Sequence, residues 1–195
     1  MATDIRAVDE LRKRTGAGLM DCKRALDESG GDMAGAVLAL KKKGLAGAEK
    51  REDRLALEGS VFSYIHTGGR IGVLLQLNCE TDFVAKNELF QTLGRDLCLH
   101  IAASNPCYVG VINVPPAETE REMEVARSQA QGRPPQAVGA FIEGKMAKFH
   151  AQVCLLSQPF VKDPSQTVEE LVRGHIARIG ENIRIGRFAR FQVGG

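Results

Sequence analysis

Long apolar runs are absent from this 195-residue chain. None approaches the roughly 18 residues of a membrane-spanning helix, so no membrane role is expected. A charge imbalance is absent too: 26 Lys and Arg stand against 24 Asp and Glu, a net charge of +2. That excess is too small to argue for a nucleic acid or an anionic membrane as partner. The N-terminus, Met1-Ala2-Thr3-Asp4-Ile5-Arg6, has no apolar signal core and carries an early acidic residue. It reads as cytoplasmic, with a removed organelle transit peptide left open.

The usual catalytic signatures are missing as well. There is no P-loop, so direct nucleotide binding through a Gly-rich phosphate cradle is not expected. Neither G-x-S-x-G nor H-E-x-x-H occurs. The four histidines, His66, His100, His150 and His175, show no metal-ligand spacing. The five cysteines (Cys22, Cys79, Cys98, Cys107, Cys154) are scattered, odd in number and never spaced C-x-x-C. Four of them lie in apolar settings, where a thiol behaves as a small buried hydrophobe, and they read as reduced and structural. Cys98 and His100 stand two apart in a helical pattern and so point apart, which argues against a cysteine enzyme. A protein without covalent chemistry, cofactor or metal is the expectation.

What is present is an ordinary globular balance, 44% hydrophobic and 26% charged. Residues 4–44 read as three short helices. The first covers 5–14, with Val8 and Leu11 inward and Asp4 or Thr3 as cap. The second runs from about Leu19 to Ser29 and stops at Gly30-Gly31. Asp32 can cap the third, whose apolar stripe is Ala36, Val37 and Leu40. Lys41, Lys42 and Lys43 then complement its C-terminal dipole before Gly44; a solvated helix end is preferred there over a phosphate site. About 40 residues make a marginal core, so this unit reads as a docking module in the style of ubiquitin-associated three-helix domains.

The stretch 77–90 is the most informative. Ile71, Val73, Leu75 and Leu77 alternate with Gly72, Leu74, Gln76 and Asn78, a strand with one buried face. Leu89, Leu93, Leu97 and Ile101 recur every four residues, with Phe90 beside them, a helix. Between the two sits Thr81-Asp82-Phe83-Val84, read as a loop held by rigid elements, where binding residues usually lie. Two readings stand side by side. Either the carboxylate and ring form a charged wedge, or Thr81 or Asp82 caps the helix and Phe83 tucks into the core.

Elsewhere, residues 59–66 alternate as a strand and return through Thr67-Gly68-Gly69-Arg70 into 71–79, an antiparallel hairpin. Residues 107–115 suggest an extended crossing. Residues 116–131 are acidic and helical, with Glu118, Glu120, Glu122 and Glu124. After Gly132-Arg133-Pro134-Pro135, the residues Val138, Phe141, Ile142, Phe149 and Val153 mark a second long helix, making a helical hairpin. A helix over 167–179 precedes a last strand over 183–193. Arg184, Arg187 and Arg190 in that strand form a basic patch, which leaves RNA binding as a lesser alternative. Phe83-Val84-Ala85-Lys86 is echoed by Phe160-Val161-Lys162-Asp163, suggesting a strand-loop-helix arrangement used twice. The expected class is α+β: a UBA-like three-helix domain (1–45), a linker (46–58), and a core (59–195). That core holds a three-stranded antiparallel sheet packed by helices and a helical hairpin.

Two segments carry a family resemblance. Leu11-Arg12-Lys13-Arg14-Thr15-Gly16-Ala17-Gly18-Leu19-Met20-Asp21-Cys22-Lys23-Arg24-Ala25-Leu26 resembles the N-terminal signature of elongation factor Ts. Leu77-Asn78-Cys79-Glu80-Thr81-Asp82-Phe83-Val84-Ala85-Lys86 resembles its second signature. The likeness continues through Gln158-Pro159-Phe160-Val161-Lys162-Asp163 and Ile179-Gly180-Glu181-Asn182-Ile183. One departure is Gln76, where the family usually has an acidic residue. The chain is similar to the short, single-core form. The resemblance implies a translation factor that promotes GDP release from elongation factor Tu, and, for short members, a homodimer built through the sheet. It implies that Arg12, Leu19 and Met20 contact the partner. It also implies that Thr81, Asp82, Phe83 and Val84 disturb the partner's magnesium site, with Phe83 as apolar wedge and Asp82 as polar disruptor. The competing class is an interaction protein that binds ubiquitin-like or ribosomal partners without exchange.

Overall fold

A computed structural model describes residues 4–194, apart from the Leu45 side chain. The fold mixes helices with a three-stranded antiparallel sheet, as expected. The chain divides into two compact units. The first holds the chain up to Gly59 together with Asn78–Phe90 and Val172–Arg184; the second holds Ser60–Leu77, Gln91–Leu171 and the residues from Ile185 on.

The first unit begins with α1 (Ile5–Thr15), α2 (Leu19–Glu28) and α3 (Met33–Glu49). Asp4 caps α1 by accepting from the Arg6 amide at 3.0 Å; Thr3, the other cap considered, lies outside the described residues. Asp32 caps α3 through the amides of Ala34 and Gly35, satisfying two donors that a helix start leaves open. Val8, Leu11, Cys22, Ala25, Leu26 and Ala36 form the buried cluster, with Val37 and Leu40 packed against it. The helix α3 does not stop before Gly44. It continues to Glu49, into the segment expected to be linker, because Leu45-Ala46-Gly47-Ala48-Glu49 contains no proline and Ala48 is fully buried. Lys43 meets Asp21 at 2.7 Å, so one cation of the lysine run is paired along the helix flank.

In the second unit lies most of the sheet. Strands β1 (Glu58–Ile65) and β2 (Ile71–Cys79) form the hairpin, and β5 (Ile183–Gln192) pairs with β2, giving the order β1-β2-β5. Val73, Leu75, Leu77 and Cys79 are buried while Leu74 is exposed, the alternation expected of a half-buried strand. The long helix α5 (Glu88–Ser104) places Leu93, Leu97, Cys98 and Ile101 in the core. Helices α6 (Pro116–Gln129) and α7 (Pro135–Val153) are the expected antiparallel pair, each with proline at its first turn. Helix α8 (Val168–Ile179) precedes β5.

Two local expectations need correction. Residues 107–115 do not cross as an extended segment throughout: Tyr108 makes one bridge to Cys154, and Val111–Asn113 then closes a 3-10 turn. The Asn113 side chain accepts from the Gly110 amide and holds that turn. Residues 159–167 form a small hairpin of β3 (Pro159–Phe160) and β4 (Asp163–Thr167), whose strands are too short to show periodicity. The echo between 83–86 and 160–163 is not structural, since the second copy is this hairpin and Phe160 is 4% exposed.

His100 shows how a polar group is accommodated in that core. It is fully buried. Its Nδ1 accepts from the Val161 amide at 3.2 Å, so its Nε2–H donates to Gln158 Oε1 at 3.0 Å. Gln158 is oriented by donating to the Gln152 carbonyl. This set of bonds requires neutral imidazole. Burial holds the His100 pKa below its ordinary value, with the Gln158 hydrogen bond opposing. The unfolded chain therefore takes up a proton near pH 6.5 that the native chain refuses. Stability should be full above about pH 6.5 and fall as pH drops through it. Urea unfolding between pH 7.5 and 5.5 should show a steeper loss for the wild-type protein than for His100→Gln. Equal slopes would mean that His100 is not the titrating group.

The thiols fit their structural reading. All five cysteines are free, and only Cys107 is exposed. Burial raises the Cys98 thiol to about 11, and burial with the nearby Glu181 charge raises Cys79 to about 11, so neither is a thiolate near neutrality. Of the three C-terminal arginines, Arg187 donates to Gln76 Oε1 and Arg190 to the Ala102 carbonyl. Two of the patch's three charges are thus engaged within the fold. No helix among the described residues is long and apolar enough to cross a membrane.

Candidate functional site

The sequence predicts a loop after β2. The segment is instead a single helical turn, α4 (Asp82–Ala85), separated from α5 by Lys86-Asn87. Thr81 is the N-cap, its hydroxyl accepting from the Val84 amide at 3.4 Å. Ala85 is buried and Val84 half-buried, so the turn is seated by its last residues. Phe83 faces the other way and is 81% exposed. That value corrects one half of the cap-and-core reading: Thr81 does cap, but the ring does not tuck into the core.

An exposed phenylalanine is costly in water, by about 1.5–3 kcal/mol relative to burial, and its neighbours make the exposure more pointed. Asp82 reaches Lys86 at 2.8 Å across the turn. The lysine hydrogen bond holds the Asp82 carboxyl below its usual range and raises Lys86. Both side chains are exposed, so this pair contributes little to stability. The result is an apolar ring beside an ionised carboxylate.

Behind the ring the turn is tied down. Glu181 accepts from the Thr81 amide at 3.0 Å and from the Thr81 hydroxyl at 2.8 Å. The Cys79 thiol donates to the Thr81 carbonyl at 3.1 Å. Glu80 in turn accepts from the Asn182 amide at 2.6 Å and lies 3.6 Å from Arg54. Asn182 is 1% exposed, and its side-chain amide donates to the carbonyls of Glu52 and Arg54. Sequence reasoning gives Glu181 and Asn182 no role of their own. Their partners lie 100 and more residues away along the chain, beyond any local pattern.

The three expected partner contacts are also at the surface of the first unit. Leu19 is 50% and Met20 66% exposed at the first turn of α2. Arg12 lines a cleft of about 380 Å³ with Asp9, Lys13, Gly16, Leu89 and Arg178. Gly16 closes α1 in the left-handed conformation (φ 69°), and a Cβ there would stand 2.6 Å from the Arg178 guanidinium. A side chain at position 16 would therefore displace Arg178 from the cleft.

Comparison with known proteins identifies the family. The elongation factor TS family model matches residues 49–195. An elongation factor Ts of Geotalea daltonii is 56% identical over 96% of this chain and 88% of its own length. That of Carboxydothermus hydrogenoformans is 53% identical over 96% of this chain and 87% of its own. The relative from Thermodesulfovibrio yellowstonii is 49% identical over 100% of this chain and 98% of its own. The chain belongs to the elongation factor Ts family. It is thus placed among translation elongation factors. The family match covers α4, Glu181 and Asn182, and the full-length relatives extend it over α1 and α2.

Proposed function

We propose that this protein binds elongation factor Tu in its GDP form and promotes GDP release, after which GTP can rebind. The exposure of Phe83 on a turn tied at its base carries the reading. GDP is held on such a GTPase by phosphate-cradling amides and by Mg²⁺, the largest local charge. A ring driven between the elements that carry those groups raises the energy of the nucleotide-bound state. The Asp82 carboxylate beside it competes for the groups around the metal. Thr81 and Val84 hold the turn, and Arg12, Leu19 and Met20 dock on the partner. In this reading residues 1–45 are the docking module and 59–195 the exchange core, joined by 46–58, which begin as the last turn of α3. No bond is made or broken by the protein. Linkage makes the effect reciprocal: nucleotide weakens factor binding as much as the factor weakens nucleotide binding.

The exposed Val61, Ile65, Leu74 and Phe191 on the sheet strands support a homodimer as the working form. Sedimentation that finds only the 21.1 kDa chain would remove the dimer from this reading. The reading also places the protein in the cytoplasm, with neither nucleic acid nor membrane as partner.

The deciding experiment is stopped-flow release of a fluorescent GDP analogue from elongation factor Tu. Release should accelerate with the concentration of this protein until it saturates. A folded sample that binds the GTPase without accelerating release would leave an interaction protein and end the exchange reading.

A further inference from the structure

A single helical turn does not hold itself. Closing one turn fixes three residues for one hydrogen bond, and the cap bond from Thr81 to Val84 is long at 3.4 Å. Yet α4 must present Phe83 in one direction if the ring is to act as a wedge. The holding force comes from the connection between α8 and β5. Gly180 ends α8 with φ 88°, a conformation in which a side chain is strained, and the reversal delivers Glu181 to Thr81. Two reciprocal bonds then lock the segments. The carboxylate of Glu181 accepts from the backbone amide of Thr81, and the carboxylate of Glu80 accepts from the backbone amide of Asn182. Hydrogen bonds to ionised acceptors are stronger than neutral ones. Glu181 adds a second to the Thr81 hydroxyl, and the buried Asn182 anchors the connection to residues 52 and 54.

We propose that Glu181 is a positioning residue for nucleotide exchange: it clamps the Thr81 cap and so fixes the turn that carries Asp82 and Phe83. The proposal rests on the exchange reading above. A wedge already ordered before docking loses less conformational freedom on insertion. Without the clamp, the turn has to order at the moment it enters the partner. Docking through Arg12, Leu19 and Met20 does not depend on it.

The test uses the full chain and elongation factor Tu. In Glu181→Ala the saturating rate of GDP release should fall about tenfold, the equivalent of ordering one residue. The half-saturating concentration should move much less. Glu181→Gln should recover most of the rate, because an amide can accept from the Thr81 N–H and donate to its hydroxyl. The double variant Phe83→Ala/Glu181→Ala should lose less than the product of the two single losses, since the clamp acts in part through the ring. Losses that multiply in the double variant would overturn the proposal. Amide hydrogen exchange on the free protein separates the clamp from the activity. The amides of residues 81–86 should exchange faster in Glu181→Ala. If they do, and the wild-type protein releases no GDP, the exchange reading fails and the clamp stands as a structural device only. If release is normal in the wild type and neither the rate nor the amides change in Glu181→Ala, the clamp is wrong.

Discussion

Phe83→Ala is expected to slow GDP release about 30-fold while leaving the melting temperature within about 2 °C of wild type. The two halves rest on one observation, the ring's 81% exposure. A side chain so exposed makes few contacts to lose, and surface substitutions usually stay within about 0.5 kcal/mol. An aromatic that enters a partner and is desolvated there behaves as a hot spot, with truncation costing about 2 kcal/mol or more, which is about 30-fold. Differential scanning calorimetry and stopped-flow release on the same sample read both halves. A sharp fall in melting temperature with normal release would mean the ring serves the fold. Asp82→Ala then isolates the charge, because the Asp82–Lys86 pair lies in solvent and its loss should leave stability nearly unchanged.

Gly94→Ala should destabilise the protein, against the ordinary rule for helices. Alanine in a helix interior is favoured over glycine by about 1 kcal/mol. Gly94, however, faces Phe62. A Cβ built at position 94 would stand 2.4–2.5 Å from three carbons of that ring, well inside van der Waals contact. Phe62 is only 7% exposed, so its ring has little room to yield. Overpacking of a buried contact costs about 1–3 kcal/mol, which outweighs the propensity gain at its upper end. A net loss near 1–2 kcal/mol lowers the melting temperature by about 2–8 °C for a chain of this size. Phe62→Leu in the Gly94→Ala background should return part of the loss, although Phe62→Leu alone is destabilising. A double-mutant cycle with no coupling between the two positions would show that strand and helix do not meet there. A rise in melting temperature for Gly94→Ala would show that the ring moves aside freely.

The elements of this fold are readable where their cause is local. Val73, Leu75 and Leu77 alternate because one face of β2 is buried, and the pattern survives into the structure unchanged. Asp32 before Met33 caps α3 as its side-chain chemistry predicts. Expectation and structure part where competing local signals are close in strength. Gly44 reads locally as a stop, but a glycine inside a helix costs only about 1 kcal/mol, so neither Gly44 nor Gly47 ends α3, and Ala48 beyond them is fully buried. The 3-10 turn at Val111–Asn113 and the β3–β4 hairpin are shorter than any periodicity can reveal.

For the candidate site the division is sharper. The order of the residues alone determined that Thr81-Asp82-Phe83-Val84 lies between a half-buried strand and an amphipathic helix. It also carried the family signatures, since these are properties of neighbouring residues. Only the tertiary structure decided that the segment is a helical turn, that Phe83 points to solvent, and that Glu181 holds Thr81 from 100 positions away. The physical reason is that exposure and hydrogen-bond partnership depend on which distant segment arrives beside a residue. Here the arriving segment is the Gly180 reversal with the Glu181-Asn182 pair, and no spacing along the chain encodes where it lands.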